Sequence, residues 1–276
     1  SVVNVVGEAG IGKSRLMAEL KKREVVKRVM LLEGRAISMG KNLSFYPIIT
    51  LLKNWARIRE DDGETAAMNK LQEAIRRVST EEADEIFPFV ATLMGMKLSG
   101  KYADRIKGIE GEALEKLIFK NVRELLIRST ELIPIVIVIE DLHWADTSSL
   151  LLIDALYRLS RSQKIVFINV FRPGYWDSAD KNPGNLKERI TDLSLVELVL
   201  QPLDSQSSET LINNMLNIKG LHHGIKARII ERAGGNPFFI EEVVRALIDD
   251  GAVVVKDGGF EVTDKIHSVI IPPTIN

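Results

Sequence analysis

The amino-acid sequence predicts a doubly wound α/β layer followed by a small helical domain. Short runs rich in β-branched residues recur through the first two hundred positions, helical patterns separate them, and the character changes after Pro202. The runs are residues 2–6, 29–32, 135–139, 165–171 and 195–200. Continuous apolar runs of this length fit strands buried on both faces of a parallel sheet. Leu16 and Leu20 repeat at helical spacing after the first run. Leu114, Ile118, Val122 and Leu125 do so before the third, and Leu152, Leu156 and Leu159 after it. Strand, helix, strand in this rhythm is the pattern of an α/β layer. Residues 44–107 hold short helical patterns and no clear strand, which reads as a helical insertion after the second strand. Beyond Pro202, residues 205–218, 225–233 and 238–248 read as helices, separated by Gly220 and by Gly234-Gly235-Asn236-Pro237. Residues 252–255 and 260–262 flank Asp257-Gly258-Gly259 as a short hairpin. The expected domains are an α/β core over 1–201, a helical lid over 202–250 and a hairpin region over 251–276.

Composition excludes several classes. The chain has 276 residues, and 37 Lys plus Arg against 38 Asp plus Glu leave a formal charge of −1. Proteins that live on nucleic-acid phosphates carry a basic surplus, so direct nucleic-acid binding is not expected. The apolar run at residues 132–139 includes a Pro and falls far short of the roughly 20 residues that cross a bilayer, so no membrane span is expected. The chain has no cysteine, which removes disulfide scaffolds, thiolate zinc sites and cysteine nucleophiles. His222-His223 and His143 lack a zinc-ligand spacing. No secretory leader opens the chain, which predicts a cytoplasmic protein, and the missing initiator Met suggests an excised fragment.

Gly7-Glu8-Ala9-Gly10-Ile11-Gly12-Lys13-Ser14 matches the phosphate-loop pattern, directly after the first strand and opening a helix. Glycines let the backbone curl so that successive N–H groups point at phosphate oxygens. Lys13 then meets the β and γ phosphates, the Ser14 hydroxyl ligates Mg²⁺, and Arg15 closes the binding segment. Such a loop needs an acidic site for the metal and the attacking water. Glu140-Asp141 ends the strongest strand, where carboxylates face the ligand crevice of a parallel sheet. Glu140 is assigned to Mg²⁺ and Asp141 to the water, with the swap left open. Arg172 follows the fourth strand and is read first as a γ-phosphate contact and second as an ordinary solvated Arg before Pro173. Arg35 is as readily structural. His143 and Trp144 read equally as catalytic or as a packed capping turn. Phe238 and Phe239, at helical spacing with Val243 and Leu247, read first as core and second as a stacking surface for a base.

At this point a family resemblance becomes specific. Glu140-Asp141-Leu142-His143-Trp144-Ala145-Asp146 resembles the Walker B region of the STAND class of signalling ATPases within the AAA+ superfamily. The likeness is to the ATPase modules beside class III adenylate cyclase domains and those of large LuxR-type regulators. Gly34-Arg35 with Tyr46-Pro47, Arg172 as a sensor Arg, and Gly235-Asn236-Pro237 as the GxP motif agree with it, in the expected order. The resemblance implies a P-loop core of five strands in the order 5-1-4-3-2. It also implies an ATP/ADP site with Pro237 near the adenine, and a winged-helix domain starting near Ile271-Pro272-Pro273. The expected role is a slow, Mg²⁺-dependent ATP hydrolase that acts as a signalling switch. It would regulate a covalently attached effector domain, with homo-oligomer formation as the source of an arginine finger. A nucleotide-gated interaction module with little hydrolysis shares every motif. A small-molecule kinase fits the acid pair poorly, and a DNA motor fits the neutral charge poorly.

Overall fold

A computed structural model describes residues 1–38, 44–175, 193–216, 223–256 and 259–267. They form two compact units, one of residues 1–6 and 18–198, the other of residues 7–17 and 199–276. The first unit holds strands β1 (Val2–Val6), β2 (Met30–Arg35), β3 (Ile135–Glu140), β4 (Ile165–Phe171) and β5 (Leu195–Val199). Their order in the sheet is β2-β3-β4-β1-β5, the expected 5-1-4-3-2 read from the other edge. The pairs β1–β4, β2–β3 and β3–β4 are parallel. Helix α1 (Lys13–Lys21) follows β1. Helices α2 (Tyr46–Trp55), α3 (Glu64–Val78), α4 (Ala83–Leu93), α5 (Lys101–Ile106) and α6 (Gly111–Leu132) lie between β2 and β3, and α7 (Thr147–Tyr157) lies between β3 and β4.

Burial explains the rhythm of the sequence. Ile135, Ile137, Ile139, Ile165 and Phe167 are buried in the sheet, and Leu152, Leu156 and Leu159 are buried against it. Strand β2 runs three residues past the predicted end. Glu33-Gly34-Arg35 breaks the apolar run, yet the ladder to β3 continues until Arg35 sits opposite Glu140. Backbone pairing, which a hydropathy pattern does not report, sets that end. Asn54 Nδ2 donates to the Glu33 carbonyl oxygen at 2.9 Å, so α2 packs along this edge strand and covers one of its acceptors.

A polar ladder runs through the apolar core. Asn4 of β1 and Asn169 of β4 are register partners, and both are fully buried. Asn169 Nδ2 donates to Asn4 Oδ1 at 2.9 Å, and the Tyr157 hydroxyl donates to Asn169 Oδ1 at 2.8 Å. Burial pushes the Tyr157 phenol well above its ordinary value, so it stays protonated and keeps donating. Tyr157→Phe should therefore lower unfolding stability by about 1–3 kcal/mol, because Asn169 Oδ1 loses this buried donor. Urea denaturation checks it: the midpoint should fall with the slope unchanged.

The second unit contains α8 (Ser205–Leu216), α9 (His223–Ala233), α10 (Pro237–Asp249) and the antiparallel hairpin of β6 (Val253–Lys256) and β7 (Gly259–Val262). Its separate core gathers Ile212, Ile229, Ile240, Val243, Val244 and Leu247. Phe239 packs on this core as expected. Phe238 does not: it is 48% exposed. Adjacent aromatics point to different sides of a helix, and only Phe239 shares the four-residue repeat with Val243 and Leu247. The expected features at Ile218, Gly220 and His222, the hairpin turn at Asp257-Gly258, and Ile271-Pro272-Pro273 lie outside the described residues.

Candidate functional site

Within the first unit, the parallel register brings several predicted residues to the carboxyl ends of the strands. Glu140 ends β3 opposite Arg35, and Phe171 ends β4 opposite Val6. Exposed Arg172 follows directly, and Val6 is the residue before the glycine loop. Asp141 then turns the chain in the left-handed region, at φ 56° and ψ 34°. A non-glycine residue there costs on the order of 1–3 kcal/mol, and such strain concentrates at working sites. Arg35 Nε donates to Asp141 Oδ2 at 3.2 Å. The two residues belong to neighbouring strand ends, and the pairing is invisible in a sequence until the strand register is known.

The remainder of this turn is built from backbone bonds. Trp144 N donates to the Asp141 carbonyl at 2.8 Å and Ala145 N to that of Leu142 at 3.0 Å, forming one turn of 3-10 helix. Asp146 caps α7, its Oδ1 accepting from Ser149 N at 2.9 Å. The His143 ring lies 5.0 Å from Trp144 and 6.4 Å from Tyr175 between centroids.

In the second unit, the glycine loop meets the start of α10. Gly10 and Gly12 have φ of 77° and 105°, values that L side chains rarely adopt. A Cβ on Gly10 would lie 2.6 Å from the Phe238 Cβ, whereas one on Gly12 would meet open space. Lys13 Nζ donates to the Gly7 and Glu8 carbonyls, each at 2.8 Å, and Leu16 N donates to the Gly12 carbonyl at 2.9 Å. Asn236 Nδ2 donates to the Ala9 carbonyl at 2.9 Å, and Phe238 N to that of Gly10 at 3.3 Å. Asn236 Oδ1 also accepts from Phe238 N at 3.1 Å as the cap of α10, with Pro237 in the first turn. A cleft of about 920 Å³ opens here. Gly10, Ile11, Gly12, Lys13, Ser14 and Arg15 line it together with Leu203, Leu211, Asn214, Pro237, Phe238 and Glu241. It combines glycine backbone and two cations with an apolar wall, and its volume suits a small-molecule ligand.

The Ser14 hydroxyl and the Glu140 carboxylate are oxygen donors, the ligand type that Mg²⁺ takes. Among the described residues no three His, Cys, Asp or Glu side chains gather into a metal cluster. Mg²⁺ keeps several waters and takes one or two protein oxygens plus ligand phosphates, which suits one hydroxyl and one carboxylate. Ser14 is exposed at the start of α1, and Glu140 is half-buried at the carboxyl end of β3. Among the described residues no helix is long and apolar enough to cross a membrane.

Comparison with known proteins shows the family of the larger part of the chain. A family model described as "AAA ATPase domain" matches residues 1–168. Residues 204–260 match a model described as a domain of unknown function (DUF8739). An uncharacterized protein of Rhizobium meliloti, strain 1021, is 26% identical over 254 residues, covering 88% of this chain. The chain spans 22% of that relative's length. Among solved structures, a Walker-type ATPase of Pyrococcus abyssi aligns with a TM-score of 0.43 at 12% identity, over 91% of this chain and 63% of that one. A STAND protein with a tetratricopeptide repeat sensor from Pyrococcus horikoshii aligns with a TM-score of 0.41 at 13% identity, over 97% of this chain and 29% of that one.

Proposed function

Because the chain belongs to the AAA ATPase domain family, we propose that it is a Mg²⁺-dependent, ATP-hydrolysing module of STAND type, acting as a nucleotide-controlled switch. The observation that carries this is the loop of residues 7–14, with Gly10 and Gly12 at positive φ and Lys13 and Ser14 opening α1 beside a cleft. In this reading the loop amides and Lys13 hold the β and γ phosphates, and Gly7, Glu8, Ala9, Ile11 and Arg15 shape that segment. Ser14 and Glu140 hold Mg²⁺, whose positive charge offsets the charge that develops on the phosphoryl oxygens. Asp141 orients the attacking water and Arg172 contacts the γ-phosphate. Pro237 borders the adenine, with exposed Phe238 beside it in the same cleft.

Water attacks the γ-phosphorus, the bond to the β,γ-bridging oxygen breaks, and ADP and inorganic phosphate leave. The proposed output is regulation of an attached cyclase or transcription-regulator domain, and assembly of several copies would supply a further Arg. The low coverage of the Rhizobium relative supports the idea that such a module works as one part of a longer protein. One contact favours a second reading, a nucleotide-gated interaction module with little turnover: Arg35 already donates to Asp141 Oδ2, an oxygen that a positioned water would otherwise use.

Titration calorimetry with ATP, with and without Mg²⁺, tests the proposal when run beside a phosphate-release assay on wild type and Lys13→Ala. We expect ATP binding weakened about 10- to 150-fold in the variant, the range of one lost charge-assisted contact, and release only in wild type. Binding without release selects the gated module. An affinity unchanged by the substitution sinks the phosphate-loop assignment.

A further inference from the structure

We propose that Asp146 is a positioning residue that ties the start of the helical segment 46–106 to the acid turn, and that a helix cap alone does not account for it. Capping α7 needs one acceptor, and Oδ1 supplies it to Ser149 N at 2.9 Å. The second oxygen does other work. Oδ2 accepts from the Ser149 hydroxyl and from the backbone N–H of Phe45 at 3.2 Å, 101 residues away in the chain. A carboxylate has the lone pairs for three donors, whereas a serine hydroxyl does not.

Phe45 is itself unusual. It stands immediately before α2 with φ 64° and ψ 15°, a left-handed conformation in which a bulky side chain is strained. Its carbonyl accepts from Ile49 N at 2.8 Å and so starts the helix. Its ring packs edge-on against Phe119 of α6 at 6.1 Å. The left-handed turn of Phe45 is thus held from three sides, and its amide bond runs to Asp146. Among the described residues three non-glycine positions have positive φ, at Phe45, Arg57 and Asp141. Asp141 begins the turn that Asp146 ends, and Phe45 is bonded to Asp146.

A second link joins the same two stretches of chain, since Arg35 at the end of β2 bonds Asp141 after β3. The turn after β3 is therefore bonded at two points, to the end of β2 at Arg35–Asp141 and to the residue before α2 at Phe45–Asp146. A displacement of the acid turn is passed to the first turn of α2, and the reverse also holds. The inference rests on the reading of Glu140 and Asp141 as the metal and water acids. The tether itself is a statement about geometry and is tested separately.

The test uses the whole chain and Asp146→Ser, which keeps a good helix cap and removes the second acceptor. The expected result is a phosphate-release rate about tenfold lower at saturating Mg²⁺-ATP, with ATP affinity and melting temperature close to wild type. Hydrogen exchange of the Phe45 amide supplies a readout that capping does not move. It should be protected in wild type and lose that protection in Asp146→Ser, and Ser149→Ala should keep it. An Asp146→Ser chain with full turnover and unchanged Phe45 exchange overturns the proposal. So does a wild-type Phe45 amide that exchanges as fast as an exposed one, whatever the variant does. If wild type binds no ATP, the reading of the site fails in calorimetry, while Phe45 exchange in wild type and variant still decides the tether.

Discussion

Glu140→Gln should cut phosphate release by about 10² to 10³-fold and raise the Mg²⁺ concentration needed for half-maximal turnover. Glu140 ends β3 opposite Arg35, and the change keeps its size while removing its charge. The assigned role is to hold the metal, so the loss should be partly rescued by high Mg²⁺. Asp141→Asn should behave differently, with turnover lowered and the Mg²⁺ requirement unmoved. A Mg²⁺ titration of phosphate release on both variants checks this. If Asp141→Asn shifts the Mg²⁺ requirement and Glu140→Gln does not, the two acids exchange roles. If neither variant slows release, the acid pair is not part of the chemistry.

Gly235→Ala should destabilise the second unit by about 2–4 kcal/mol, a size reserved for substitutions that break a local constraint. Gly235 sits at φ 72°, and an L residue there costs roughly 1–2 kcal/mol. The space is also occupied. A Cβ would fall 2.3 Å from the carbonyl oxygen of Leu203 and 3.2 Å from its nitrogen, both of them backbone atoms that cannot swing aside. The Gly235 carbonyl accepts from that same Leu203 N at 2.8 Å, so moving the strand of chain apart also breaks this bond. Leu203 lines the cleft beside the glycine loop, and ATP affinity should fall together with stability. Thermal denaturation beside calorimetry checks both. A variant melting like wild type would show that the chain relaxes around the methyl group.

The strands and the glycine loop were legible in the sequence because their causes are local. A β-branched run such as residues 135–139 has little alternative but a buried strand, and Gly10 and Gly12 occupy the positions that need positive φ. What escaped depends on which elements become neighbours. The ladder of Tyr157, Asn169 and Asn4 joins residues up to 165 apart, and each alone looks like an ordinary polar residue near a core. The bond from Arg35 to Asp141 depends on the β2–β3 register, which sets the end of its strand opposite Glu140. Asp146 read as part of a motif, but its bond to Phe45 requires a left-handed aromatic that no pattern announces. Phe238 is a simpler case: the four-residue repeat with Val243 and Leu247 includes only Phe239, and a core reading of both aromatics overlooks that step.

The glycine loop packs with residues 199–276 although it is made near the start of the chain, and the bond from Asn236 to Ala9 closes 227 residues of sequence. During synthesis the loop leaves the ribosome long before the helix whose first turn holds the Ala9 and Gly10 carbonyls. At about 5–20 residues per second, that delay is on the order of ten seconds or more. A nascent chain can therefore build the sheet early and still lack the second half of its nucleotide cleft. On the proposed reading, nucleotide capture becomes a late event of biogenesis, set by the arrival of α10. Truncations that stop before Asn236 should fold a sheet and remain blind to nucleotide.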